Sequence, residues 1–132
     1  MNQPIFKGAC TALITPFTDN GIDLPAFERL IDSQIQSGIQ ALVVLGTTGE
    51  PPTMTPQEKK AAIQCCVSTA AGRVPIIAGA GSNNTAAAVE AAELARSLKA
   101  DAVLSVTPYY NKCTPKGLHE HYQAIASVGL PV

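Results

Sequence analysis

Apolar residues fall in short continuous runs, and the stretches between them follow a helical period. The runs are GACTALITPF from Gly8, ALVVLG from Ala41, VPIIAGAG from Val74 and DAVLSVTPYY from Asp101; a last one, GLPV, opens at Gly129. Each is continuous rather than alternating and rich in Val, Ile or Leu, the pattern of a strand buried on both faces. Between the first two, Leu24, Phe27, Leu30, Ile31 and Ile35 share one helical face, with Gly38 as the stop. TPQEKKAAIQCCVSTAAG carries the clearest start signal: Thr55 as N-cap, Pro56 in the first turn, Glu58 completing a capping box, and Gly72 ending the helix. TAAAVEAAELARSLKA is alanine-rich, with Val89, Ala92 and Leu98 along one side, and TPKGLHEHYQAIASVG repeats the Thr-Pro start at Thr114 and Pro115.

Strand–helix alternation at this spacing predicts βαβ units, a parallel sheet and right-handed crossovers. Two α/β architectures use such units, the doubly wound sheet and the (β/α)₈ barrel, and both carry function in the loops after the strands. Here those loops are TPF at 15–17, GTTGEPPT at 46–53, GAGSNN at 79–84 and TPYYNK at 107–112. They collect hydroxyls, amides and phenols at one end of the sheet, whereas the opposite connections at Gly38, Gly72 and Ala100 are short and plain. That asymmetry predicts a site at the strand C-termini.

Composition narrows the partners. At 132 residues the chain suits one domain, and 46% hydrophobic against 14% charged residues argues against disorder. A net charge of −1 and a pI near 6.1 argue against nucleic acid and a basic membrane-binding surface. There is no apolar run of about 18 residues and no basic leader before an apolar stretch, so neither a transmembrane helix nor a secretory signal is expected, and the expected location is the cytoplasm. Cysteines 10, 65, 66 and 113 form no CxxC pair and are expected to be reduced, small apolar residues. His119 and His121, two apart, point to different helix faces and are expected to pack or lie at the surface rather than share a metal. No metal or cofactor is expected.

Among the loops, GAGSNN lacks the third glycine of a dinucleotide fingerprint and follows the third strand rather than the first. GTTGE is more specific. A turn needs one residue at positive φ, not two stiff β-branched threonines. Two hydroxyls with glycine-exposed backbone N–H groups can clamp a carboxylate at a strand end, with Glu50 expected to orient the loop by accepting backbone N–H bonds. Tyr109 and Tyr110, neighbours in extended chain, are expected to face different environments, one reaching the site while the other packs at an interface; both packing in the loop is the alternative.

Taken together, ITPF, GTTGE, IAGAGSNNT and TPYYNK, in this order and at these spacings, resemble the N-terminal half of the dihydrodipicolinate synthase family, and the resemblance runs from Phe6 to Val132. That family belongs to the class I, Schiff-base aldolases, a group that includes N-acetylneuraminate lyase. The resemblance implies a (β/α)₈ barrel without a cofactor that condenses pyruvate with aspartate semialdehyde in lysine and diaminopimelate biosynthesis, assembled as a homotetramer of tight dimers. It implies that Thr47 supplies the hydroxyl of a proton-relay triad and that Thr48, with adjacent amides, clamps the pyruvate carboxylate. Tyr110 becomes the relay tyrosine reaching a neighbouring subunit's site, while Tyr109 and Asn83 lie near an allosteric lysine pocket at the dimer interface. Lysine-inhibited members carry histidine and glutamate at positions resembling Lys59 and Ala87, so weak or absent lysine inhibition is expected.

A barrel of this kind takes about 250 residues. Residues 1–132 are therefore expected to be the N-terminal half of a single barrel domain: four βα units and the start of a fifth strand, without the second triad tyrosine, the site-entrance arginine and the Schiff-base lysine. Lys7, Lys59, Lys60, Lys99, Lys112 and Lys116 lie before a strand, on helices or in a loop, none on an inward strand position, so the chain alone is expected to be inactive. The rivals are a sugar-acid lyase of the N-acetylneuraminate type, a non-catalytic half-barrel and a flavodoxin-like nucleotide-binding module.

Overall fold

The computed structural model describes residues 3–132. In chain order the elements are β1 (Cys10–Ala12), a hairpin of β2 (Phe17–Thr18) and β3 (Gly21–Ile22), α1 (Leu24–Gln36), β4 (Ala41–Val44), α2 (Pro56–Ala70), β5 (Ile76–Gly79), α3 (Thr85–Ser97), β6 (Ala102–Leu104) and α4 (Pro115–Ala126). The four βα units match the apolar pattern; the hairpin does not appear in it.

β1, β4, β5 and β6 form one parallel sheet in that order, with Cys10 opposite Ala41, Leu42 opposite Ile76 and Ile77 opposite Ala102. The order never reverses. A doubly wound sheet turns back at a switch point, whereas right-handed crossovers that always step the same way put every helix on one face. This is a (β/α)₈ barrel wall, not a flavodoxin-like sheet. The Val103 N–H donates to the Pro131 carbonyl at 2.9 Å, so the chain after α4 returns to the free edge of β6.

Side-chain alternation follows from that geometry. Leu42, Val44, Ile76, Ala78 and Val103 turn toward the helices and are buried with Phe27, Ile31, Ile63, Cys66, Ala92 and Ile125. Toward the other face and the strand ends, Ile14, Leu104 and Val106 are about half exposed (55, 51 and 52%).

Each helix begins on a side-chain cap. Asp23 accepts from the Ala26 N–H, Asn84 from Ala87 and Thr114 from Gly117. At α2 the full capping box forms: Thr55 Oγ1 accepts from the Glu58 N–H, and the Glu58 carboxylate accepts from Thr55 N–H at 2.7 Å. These bonds from Thr55 hold the Glu58 carboxyl below its ordinary pKa. α2 ends one residue earlier than Gly72 alone implies, because Ala71 already adopts the left-handed conformation (φ 48°) before Gly72 (φ 74°).

The plain end of the sheet is closed by Asp101. Its carboxylate accepts from Ile76 N–H while its own N–H donates to the Ile76 carbonyl, both at 2.8 Å. Asp101→Ala is expected to cost about 1–2 kcal/mol by stranding that N–H. The drop should appear in the denaturant midpoint, and Asp101→Asn, whose amide oxygen can still accept, should recover part of it.

Candidate active site

The chain leaves β4 through an unusual turn. Leu45 is buried yet left-handed (φ 58°), and Gly46 is extended (φ −65°, ψ 169°). Thr47–Gly49 then forms one 3₁₀ turn, Glu50 is again left-handed (φ 62°), and Pro51–Thr53 forms a second. A buried leucine at positive φ is disfavoured and persists only where its surroundings fix it. Gly79 on β5 is one such constraint: a Cβ there would come within 2.5 Å of the Leu45 carbonyl carbon and still nearer to its oxygen. Thr15 is a second. It is buried, and its hydroxyl donates to the Gly49 carbonyl at 2.8 Å, seating the loop on the end of β1.

The two threonines are thereby presented outward. Gly49 N–H bonds back to Gly46 and Glu50 N–H to Thr47, so the backbone satisfies itself. Thr47 and Thr48 are exposed, and among the described residues neither hydroxyl is used in an internal hydrogen bond. The strand end thus offers two adjacent hydroxyls to a ligand. Glu50 does not orient the loop as expected. Its carboxylate is exposed and takes no backbone N–H among the described residues; its carbonyl instead accepts from the N–H and hydroxyl of Thr53.

Beside this loop lies a cavity of about 540 Å³, walled by Gly46 and Thr47, by Lys59 of α2, by Ser82 of the loop after β5, by Ala87 of α3, and by Tyr109. Most of the remaining wall is apolar, including Leu104 and Val106, and Lys59 is the one charged side chain on it among the described residues. The β5 and β6 loops touch because residue 81 is glycine: a Cβ would sit 2.6 Å from the Val106 nitrogen.

The two tyrosines separate as expected, but for a different reason. Tyr109 is half exposed and lines the cavity, while Tyr110 is fully exposed. The chain is not extended between them: Tyr110 is left-handed (φ 67°), and the Asn111 N–H bonds back to the Tyr109 carbonyl. Asn83 does not line the cavity; its carbonyl accepts from the Asn111 side-chain amide at 3.3 Å, tying the two loops together. Of the sequence candidates, the cavity therefore unites Thr47, Lys59 and Tyr109. Thr48 stands one residue along the rim, and Tyr110 and Asn83 lie outside it. Thr15, Gly79 and Gly81 were not singled out from sequence. A glycine ending a strand, as Gly79 does, is a signal of close backbone approach that could have marked it.

Burial pushes the Cys66 thiol up to about 12 and raises Cys65 and Cys10 as well. Among the described residues no group of three His, Cys, Asp or Glu is placed to hold a metal ion, and no helix is long and apolar enough to cross a membrane.

Residues 5–132 match the model of the dihydrodipicolinate synthetase family. The chain belongs to that family. It is 52% identical to the 4-hydroxy-tetrahydrodipicolinate synthase of Acetivibrio thermocellus over 133 residues, all of this chain and 46% of that protein. Among solved structures it superposes on the chloride-inhibited dihydrodipicolinate synthase of Acinetobacter baumannii complexed with pyruvate (TM-score 0.91, 44% identity, 94% of this chain and 43% of that one). It matches the Cyanidioschyzon merolae enzyme with lysine bound equally well (TM-score 0.92, 38% identity, 98% and 45%). The chain thus spans about half the length of the dihydrodipicolinate synthases it matches, and it is α/β with the strand order of their barrel.

Proposed function

We propose that residues 1–132 form the N-terminal half of one (β/α)₈ barrel domain, and that the complete protein is a cytoplasmic homotetramer condensing pyruvate with aspartate semialdehyde. The observation that carries this is the β4 loop, which holds two unspent threonine hydroxyls outward on a strained, braced turn beside a cavity. In the family's chemistry a lysine, here supplied by the C-terminal half, attacks the ketone of pyruvate; water leaves and an imine forms. Loss of a methyl proton gives the enamine, whose carbon attacks the aldehyde, and the resulting alkoxide takes a proton.

Thr47 and Tyr110 are assigned to move those protons, with Tyr110 acting in a neighbouring subunit, which suits a side chain wholly exposed on its own chain. Thr48 is assigned to the pyruvate carboxylate. The test is product formation by the complete protein from pyruvate with aspartate semialdehyde, set against cleavage of N-acetylneuraminate. Preference for the second would replace the synthase by its sugar-acid sibling.

Lys59 supports a view of regulation. Lys59 and Ala87 face the same cavity as Tyr109. A bound lysine there would meet a cation and find no carboxylate at residue 87, which is unfavourable. The complete protein is therefore expected to keep most of its activity in lysine concentrations that silence a lysine-inhibited relative. Half-inhibition at low lysine in an initial-rate titration would overturn this.

A non-catalytic role suits the 132-residue polypeptide taken by itself. Its lysines lie on helices, in loops or before β1 rather than on a strand, so pyruvate binding without imine formation is expected from it.

A further inference from the structure

Two adjacent residues of α4 reach the two loops that meet above β5 and β6. His121 is only 3% exposed, and its Nδ1 lies 2.8 Å from the Thr85 hydroxyl in the first turn of α3. Tyr122 stands edge-on to it, ring centroids 5.5 Å apart and planes at 83°, and its hydroxyl donates to the Ser105 carbonyl at 2.9 Å. Ser105 follows β6 directly, two residues before the loop at 107–112. Thr85 follows Asn83 by two residues, and the Asn83 carbonyl accepts from Asn111 in that same loop. The contacts close a circuit: α4 to Thr85, Asn83 to Asn111, then back through the loop to Ser105 and Tyr122.

An apolar side chain would fill the position of His121 without stripping water from an imidazole. Instead the ring is buried with Nε2 unmatched by any group among the described residues, an unfavourable arrangement for packing alone. Thr85 is exposed and needs no partner to be satisfied.

We infer that His121 and Tyr122 are positioning residues: they set the 107–112 loop, and so the approach of Tyr109 to the cavity, by holding its two anchors. This rests on the proposed function only for what the loop does in turnover; the brace itself is tested without turnover.

The test is NMR of the full chain carrying Thr85→Val, Tyr122→Phe or the conservative Thr85→Ser. Thr85→Val alters an exposed site and Tyr122→Phe removes one oxygen, so both should fold. Each is expected to shift the Asn111 carboxamide and Tyr109 ring resonances, Thr85→Val also lowering the thermal midpoint because it strands the buried His121 Nδ1, and Thr85→Ser to restore the parent spectrum. Unmoved Asn111 and Tyr109 signals in both variants would overturn the inference and leave His121 and Tyr122 as packing residues. Shifted signals in a complete protein that lacks synthase turnover would uphold the brace and sink the functional assignment instead.

Discussion

Thr47→Val in the complete protein is expected to lower kcat by about 10²- to 10⁴-fold, the range for losing a positioned proton-transfer group. The substitution is nearly isosteric. It leaves β-branching intact, and among the described residues the Thr47 side chain makes no hydrogen bond to disturb, while its carbonyl still accepts from Glu50. The loop should therefore keep its shape, and KM for pyruvate should change much less than kcat. Thr48→Val should do the opposite, raising KM for pyruvate more than it lowers kcat. Thr47→Ser should retain most of the rate. Steady-state kinetics on the three variants separate these roles. A Thr47→Val enzyme within a few-fold of the parent would remove Thr47 from the relay.

Gly79→Ala should be the most damaging single methyl group in the chain. The new Cβ would overlap the Leu45 carbonyl, which belongs to backbone and cannot swing aside like a side chain. Leu45 would have to leave its left-handed conformation or β5 would have to move from β4, along which Val43 pairs with Ile77. Overpacking typically costs about 1–3 kcal/mol and occasionally more, and a clash with immovable backbone puts this one at the upper end. Gly46→Ala is the control, because Gly46 has an ordinary extended conformation and a Cβ there meets only a Val43 methyl at 3.1 Å. A large loss of denaturant stability is expected for Gly79→Ala and a small one for Gly46→Ala. Equal losses would show that the close β4–β5 approach does not shape the loop.

The parts of this molecule that were legible in the sequence are those set by local rules. Buried parallel strands read as continuous apolar runs, so the four βα units stood out, and Thr55, Pro56 and Glu58 announced the start of α2 as the structure has it. The hairpin at 17–22 was not legible. Its strands are two residues each, and Phe17 is 41% exposed, so no periodicity accumulates. Left-handed Leu45, Glu50 and Tyr110 were hidden because none of these residue types favours positive φ; neighbouring elements impose it. That is why Glu50 was given a capping role it does not play. It is also why the parting of Tyr109 from Tyr110 was expected for the wrong reason. The motif GTTGE marked the two exposed threonines after β4, but the support beneath them comes from elsewhere in the chain: Thr15 in the loop after β1 and Gly79 at the end of β5.

The central claim is that these residues serve a Schiff-base aldolase whose lysine lies beyond residue 132. The most direct measurement is the intact mass of the natively expressed protein, with and without pyruvate and borohydride, followed by peptide mapping. The expected result is a chain about twice the 13.7 kDa of these 132 residues. It should carry one reduced pyruvate adduct on a lysine outside them. A complete protein that traps no pyruvate, or traps it on Lys59 or another lysine of this half, would contradict the claim.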